Sequence, residues 1–64
     1  MTDVEFRDLF NNVGCPDIAD RGYLKYSDLP RLEEAMNWFS RHYDNFREHP
    51  TGIELQKSIN VLKR

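Results

Sequence analysis

The sequence has little of what often stabilises small proteins or anchors them in membranes. It contains one cysteine, Cys15, which excludes an internal disulfide and a zinc site made of several cysteines. No apolar stretch approaches the roughly 20 residues of a membrane-spanning helix. The N-terminus also lacks the basic start and apolar run of a secretory signal. We therefore expect a cytoplasmic protein that does not insert into a membrane.

A strong excess of charge of one sign is also absent. The chain has 9 basic and 11 acidic residues, with eight acids and four bases in residues 1–36 against three and five in residues 37–64. Neither half carries the dense basic stripe that phosphate binding needs, so nucleic acid is an unfavoured partner. Two alternatives stay open: a DNA-binding regulator that uses Lys57, Lys63 and Arg64, and an acidic mimic of nucleic acid.

The chain has more large apolar side chains than disordered chains contain. Of 64 residues, 39% are hydrophobic and 12% are aromatic, which predicts one globular domain over residues 1–64. A domain of this size buries only about 60% of the surface of its unfolded chain. Without a disulfide, such a domain needs very good helix packing or a partner molecule.

The first helix is predicted over residues 3–13. Thr2 and Glu5 have the T-x-x-E spacing of a capping box. Gly14 suits a left-handed C-terminal cap, and Pro16 prevents the helix from continuing. One apolar face is formed by Phe6, Leu9, Phe10 and Val13.

Residues 14–27 are predicted to form an irregular loop. Within it, Asp17 opens a single helical turn that Gly22 ends, and Tyr23 and Tyr26 suggest an extended piece.

The second helix is predicted over residues 29–48, capped by Ser27 or Asp28 and ended by Pro50. Its main apolar seam has steps of 3, 4, 3, 4 and 3 residues, through Leu29, Leu32, Met36, Phe39, Tyr43 and Phe46. A flanking row adds Ala35, Trp38 and His42. This apolar surface is wider than one short helix can cover.

The third helix is predicted to begin at a second capping box, Thr51 to Glu54. Because the connection at His49–Pro50 is short, helices 2 and 3 should form an antiparallel hairpin. The predicted fold is therefore all-α, a small three-helix domain with a long central helix.

Residues 17–28 resemble an EF-hand calcium loop, but poorly. Asp17, Gly22 and Asp28 occupy its first, sixth and twelfth positions, whereas Ala19 and Arg21 stand where oxygen ligands belong. Asp28 is also shorter than the bidentate Glu of the motif. The substitutions favour helix-capping and turn roles over calcium binding.

The remaining chemical groups do not assemble a recognisable active site. Cys15 with His42 or His49 lacks an orienting side chain for nucleophilic catalysis. His42 and His49 with Glu48 or Asp44 form only a weak zinc pattern. We therefore predict no enzyme activity, no cofactor, no metal and no small-molecule substrate.

The function that these observations favour is protein binding. Candidate interface residues are Trp38, Tyr43, His42, Tyr23 and Tyr26, because aromatic rings with polar tips suit interfaces. The same rings would otherwise form the core of the domain. We expect a small regulator, inhibitor or accessory subunit of a larger protein, or a homodimer, of the kind common in phages and mobile elements.

Overall fold

The computed structural model describes residues 2–64, which form four α-helices and two single 3-10 turns. The helices are α1 (Asp3–Asn12), α2 (Pro16–Arg21), α3 (Leu29–His42) and α4 (Pro50–Lys63). The 3-10 turns are Tyr26–Asp28, before α3, and Phe46–Glu48, before α4. The described residues contain no strand. The prediction of an all-α fold is confirmed, with four helices in place of three.

The N-terminal region follows its local signals closely. The Thr2 hydroxyl accepts a hydrogen bond from the Glu5 backbone N–H at 3.2 Å, and the Glu5 carboxylate accepts one from the Thr2 backbone N–H at 3.3 Å. This reciprocal pair is the predicted capping box. Gly14 and Gly22 both adopt positive φ angles, +82° and +84°, and Gly22 ends α2 in the left-handed conformation.

Residues 14–27 contain more regular structure than predicted. The expected single turn is a six-residue helix that starts at Pro16, one residue before Asp17. Proline suits this first position because its missing N–H has no intrahelical partner there. The extended piece at Tyr23–Tyr26 pairs with no strand, and Tyr26 begins a 3-10 turn instead.

The prediction of a continuous helix over residues 29–48 is wrong. The helix α3 ends at His42, Tyr43 is extended, and Asn45 is left-handed with φ of 60°. Phe46 still reaches the core, but from the following 3-10 turn. The second capping box is also wrong: α4 starts at Pro50, with His49 as an N-cap that makes no side-chain hydrogen bond.

One apolar core joins all four helices. The helix α1 packs against α2 and α4, and α3 packs against α4. The antiparallel relation predicted for the last two long helices stays a prediction. Eleven buried residues form the core: Leu9, Phe10, Val13, Cys15, Ile18, Ala19, Leu32, Met36, Phe46, Leu55 and Ile59.

Across the described residues, no helix has the length and apolar character needed to cross a bilayer. The longest, α3 and α4, have 14 residues each.

Candidate functional site

The C-terminal half of α3 carries aromatic rings that the core does not cover. Trp38 is 44% exposed and Tyr43 is 53% exposed, whereas Leu32 and Met36 on the opposite side of the helix are buried. His42 is also exposed, and Phe39 is partly buried. We call Trp38, Phe39, His42 and Tyr43 the aromatic surface.

Ring contacts hold this aromatic surface in one arrangement. The Trp38 and His42 rings stack with centroids 3.9 Å apart, and the Trp38 ring meets Phe39 edge-on at 4.9 Å. Phe39 stacks on Tyr43 at 5.8 Å and on the buried Phe46 at 5.1 Å. The exposed rings are therefore connected to the core through Phe39 and Phe46, and aromatic pairs of this kind contribute about 0.5–1.5 kcal/mol each.

A hydrogen bond fixes the His42 ring further. Its Nδ1 lies 2.8 Å from the Trp38 carbonyl oxygen. A carbonyl oxygen only accepts, so Nδ1 carries the proton and donates it. This contact holds the His42 ring against the preceding turn of α3.

Two depressions border the aromatic surface. A groove of about 520 Å³ lies between the end of α1 and α3, and a second of about 360 Å³ lies between the end of α3 and the start of α4. Phe39 and Asn12 line both. The exposed rings therefore lie beside concave space, the combination that a protein interface uses to seat partner side chains.

Charged side chains line the wall of the larger groove on α3. These are Arg31, Glu34 and Arg41. Arg31 forms an ion pair with Asp17 of α2. Glu34 and Arg41 have no ion-pair partner among residues 2–64. The groove thus combines aromatic rings with charges of both signs, of which two are available to another molecule.

The predicted interface residues divide into two separate groups. Trp38, His42 and Tyr43 lie together as described. Tyr23 and Tyr26 are exposed in the loop before α3. This loop ends where α3 begins, at Leu29, which lies about 14 Å from Trp38 along the helix axis. The Tyr23 ring lies beside its own neighbour Arg21, whose guanidinium carbon is 5.2 Å from the ring centroid. The structure therefore does not bring the loop tyrosines into the aromatic surface.

Cys15, Asp17 and Asp28, which are candidates for catalysis or metal binding, are each buried or paired with an arginine. Cys15 is buried at the N-terminus of α2, and burial raises the pKa of its thiol, which disfavours the thiolate that a nucleophile needs. Asp17 pairs with Arg31 and Asp28 with Arg21, so both carboxylates face arginines. Across residues 2–64 the structure contains no cluster of three or more His, Cys, Asp or Glu side chains that could hold a metal ion.

The basic residues assigned to a DNA-binding alternative are partly neutralised within the chain. The Lys57 ammonium is 3.4 Å from a Glu54 oxygen, and the Lys63 ammonium is 3.5 Å from a Glu33 oxygen. These contacts reduce the positive potential that a phosphate backbone would meet.

Comparisons of this chain with protein-family models, with curated proteins and with solved structures found no match. The functional assignment therefore depends on the geometry of the site alone.

Proposed function

We propose that this protein is a non-enzymatic protein-binding protein that docks through its aromatic surface. The observation that supports this proposal is the exposure of Trp38 and Tyr43 beside two depressions. A domain of this size buries a smaller fraction of its surface than a larger domain does, so each large ring left outside the core lowers its stability. About half of the surface of Trp38 and of Tyr43 is in contact with water. Burial of this apolar surface against a partner would be favourable in free energy.

The arrangement of the rings suits an interface anchor. Trp38 is held between His42 and Phe39, so it has little rotamer freedom to lose on binding. Tryptophan and tyrosine are the residues most often found to dominate binding energy, at about 2 kcal/mol or more each when they fill a partner pocket. Glu34 and Arg41 would then set the orientation of the partner from the rim.

The mode of action that fits is steric or conformational. In this proposal the protein acts as a regulator, inhibitor or accessory subunit that covers part of another protein, or it acts as a homodimer. The proposal also places the protein in the cytoplasm, where an unpaired thiol such as that of Cys15 stays reduced.

The test compares aromatic-surface variants with a matched surface variant. The chain is immobilised and exposed both to an extract of the cells that express it and to its own purified copy. We expect Trp38→Ala and Tyr43→Ala to reduce retention of the bound protein by at least tenfold, because each removes an anchor ring. Lys57→Ala, an exposed change on α4, should leave retention unchanged.

Circular dichroism and thermal unfolding of each variant provide the folding control. A Trp38→Ala chain that unfolds at lower temperature yet retains every protein as well as the wild type would contradict the proposal. In that case the rings would be peripheral parts of the core and nothing more.

A further inference from the structure

The exposed face of α3 has a pattern of charges around its tryptophan. Arg31, Glu34, Trp38, Arg41 and His42 recur at helical spacing, and all five are exposed. This face is opposite Leu32 and Met36, which are buried in the core. Because 3.6 residues make one turn, Glu34 and Arg41 are nearly two full turns apart and point in almost the same direction.

The pattern is self-complementary in an antiparallel arrangement. When two copies of one helix run antiparallel about a twofold axis near residue 38, the residues before that point face the residues after it. Glu34 and Arg41 are equally far from the midpoint between positions 37 and 38, so Glu34 of each chain faces Arg41 of the other. A twofold axis makes this pair occur twice.

We propose that the partner of the aromatic surface is a second copy of this chain, whose α3 packs antiparallel across Trp38. The inference rests on the proposed function, because it assigns the occupant of the same surface. Glu34 and Arg41 have no ion-pair partner among residues 2–64. In the dimer, each of them faces an oppositely charged residue of the second copy. Two Trp38 rings meet near the axis, each next to the 520 Å³ groove of the other chain.

The dimensions predict a weak dimer. The 14 residues of α3 make a helix about 21 Å long. One helix pair of this length buries less than the roughly 800 Å² per partner of a standard stable interface. We therefore expect a dissociation constant in the micromolar range or weaker, and association should be measured from about 1 µM to 1 mM.

Charge reversal tests the pairing directly by sedimentation equilibrium. Glu34→Arg places two arginines opposite each other, and Arg41→Glu places two glutamates opposite each other, so each variant alone should dimerise on the order of tenfold more weakly. An equimolar mixture of the two variants restores both pairs and should form a heterodimer as tight as the wild-type dimer. The double variant should also recover.

Matched charge changes outside this face provide the controls. Lys57→Glu and Glu48→Arg change the net charge by the same amounts and should leave dimerisation unchanged. A wild-type chain that stays monomeric to 1 mM, or a mixture of variants that fails to associate, would overturn the inference.

The outcomes separate this inference from the proposed function. A monomer that still binds another protein through Trp38 refutes the second copy as partner and leaves protein binding intact. A dimer that Trp38→Ala does not weaken also refutes the second copy as the occupant of the aromatic surface, and the retention experiment with the Trp38→Ala chain then tests protein binding separately.

Discussion

At the scale of single residues, Gly52 controls how closely α4 approaches the turn before it. It is buried in the first turns of α4, and a Cβ atom there would lie 1.9 Å from the Phe46 carbonyl oxygen and 2.8 Å from its carbonyl carbon. Both atoms belong to the backbone, so no side-chain rotation can relieve the clash. The absence of a side chain at position 52 is what lets Phe46 enter the core from this turn.

We predict that Gly52→Ala destabilises the fold by about 2 kcal/mol. Alanine gains about 1 kcal/mol of helix propensity over glycine, but a clash of 1.9 Å with backbone requires a displacement at the upper end of the overpacking range, about 3 kcal/mol. Urea unfolding measures the difference, with the exposed change Lys57→Ala expected to shift stability by less than about 0.5 kcal/mol. Equal or higher stability of Gly52→Ala would show that the close approach is not real.

Asp28 is a buried charge whose partners are all local. Its side chain is 8% exposed, accepts a hydrogen bond from the Lys25 backbone N–H at 2.8 Å, and pairs with Arg21. It occupies the N-cap of α3, as predicted, but makes no side-chain cap hydrogen bond to that helix. The carboxylate instead ties the loop before α3 to the end of α2.

Removal of this carboxylate should be costly. Asp28→Ala leaves the partly buried guanidinium of Arg21 and the Lys25 N–H without their partner, which we expect to cost about 3 kcal/mol. The exposed ion pair between Asp17 and Arg31 provides the comparison, and Arg31→Ala should cost about 0–1 kcal/mol. Thermal unfolding of the two variants should rank them in this order, and the reverse order would contradict the account.

At the scale of elements, the sequence predicted helices well and their ends less well. Thr2 with Glu5, and Gly14 and Gly22, act through short-range geometry that can be read from the chain, and the structure has each in its expected role. The end of α3 could not be predicted in this way. The apolar period continues past residue 42, and Phe46 keeps its buried position although the backbone turns before it.

The turn residues decide this element boundary. Asp44 and Asn45 favour turns, and Asn45 adopts the left-handed conformation that asparagine tolerates better than most residues. Asn45→Gly should therefore leave stability unchanged or raise it slightly, whereas Asn45→Val should cost about 1–2 kcal/mol.

Circular dichroism distinguishes this turn from a continuous helix. If residues 29–48 formed one helix, Asn45→Ala would raise both helix content and stability, because alanine is the better helix former. We expect lower stability and no gain of helix in that variant.

The candidate site was predictable where it followed the period of α3. Trp38, His42 and Tyr43 belong to that helix or its end. The apolar surface of α3 is wider than its neighbours can cover, which indicates that some of its aromatic rings are exposed. Tyr23 and Tyr26 share only the residue type of an interface anchor, and the loop places them away from the aromatic surface. The larger groove is lined by segments distant in sequence, the end of α1 and α3, and no local pattern describes how they come together.

At the scale of the whole molecule, the Asp17–Arg31 pair links α2 to α3 and makes stability depend on pH. The hydrogen bond from Arg31 holds the pKa of Asp17 below its ordinary value of 3.8. A carboxylate whose pKa is lower in the folded state than in the unfolded chain adds to the free energy of unfolding above about pH 4. This stabilisation is lost as pH falls through the folded-state pKa.

Asp17→Asn should therefore be less stable than the wild type at pH 6, with a difference that shrinks toward pH 2. Urea midpoints across this range measure it, and Asp20→Asn on the same helix is the control. A difference that stays constant with pH would show that the carboxylate of Asp17 is not held by Arg31.

The central claim is that a second copy of this chain covers the exposed face of α3, and the single tryptophan of the chain reports on it. The most direct measurement is the fluorescence of Trp38 from 1 µM to 1 mM protein, with acrylamide as the quencher. The account predicts a shift of emission to shorter wavelength and reduced quenching as the second copy covers the ring. Emission and quenching that stay constant over the whole range would contradict it.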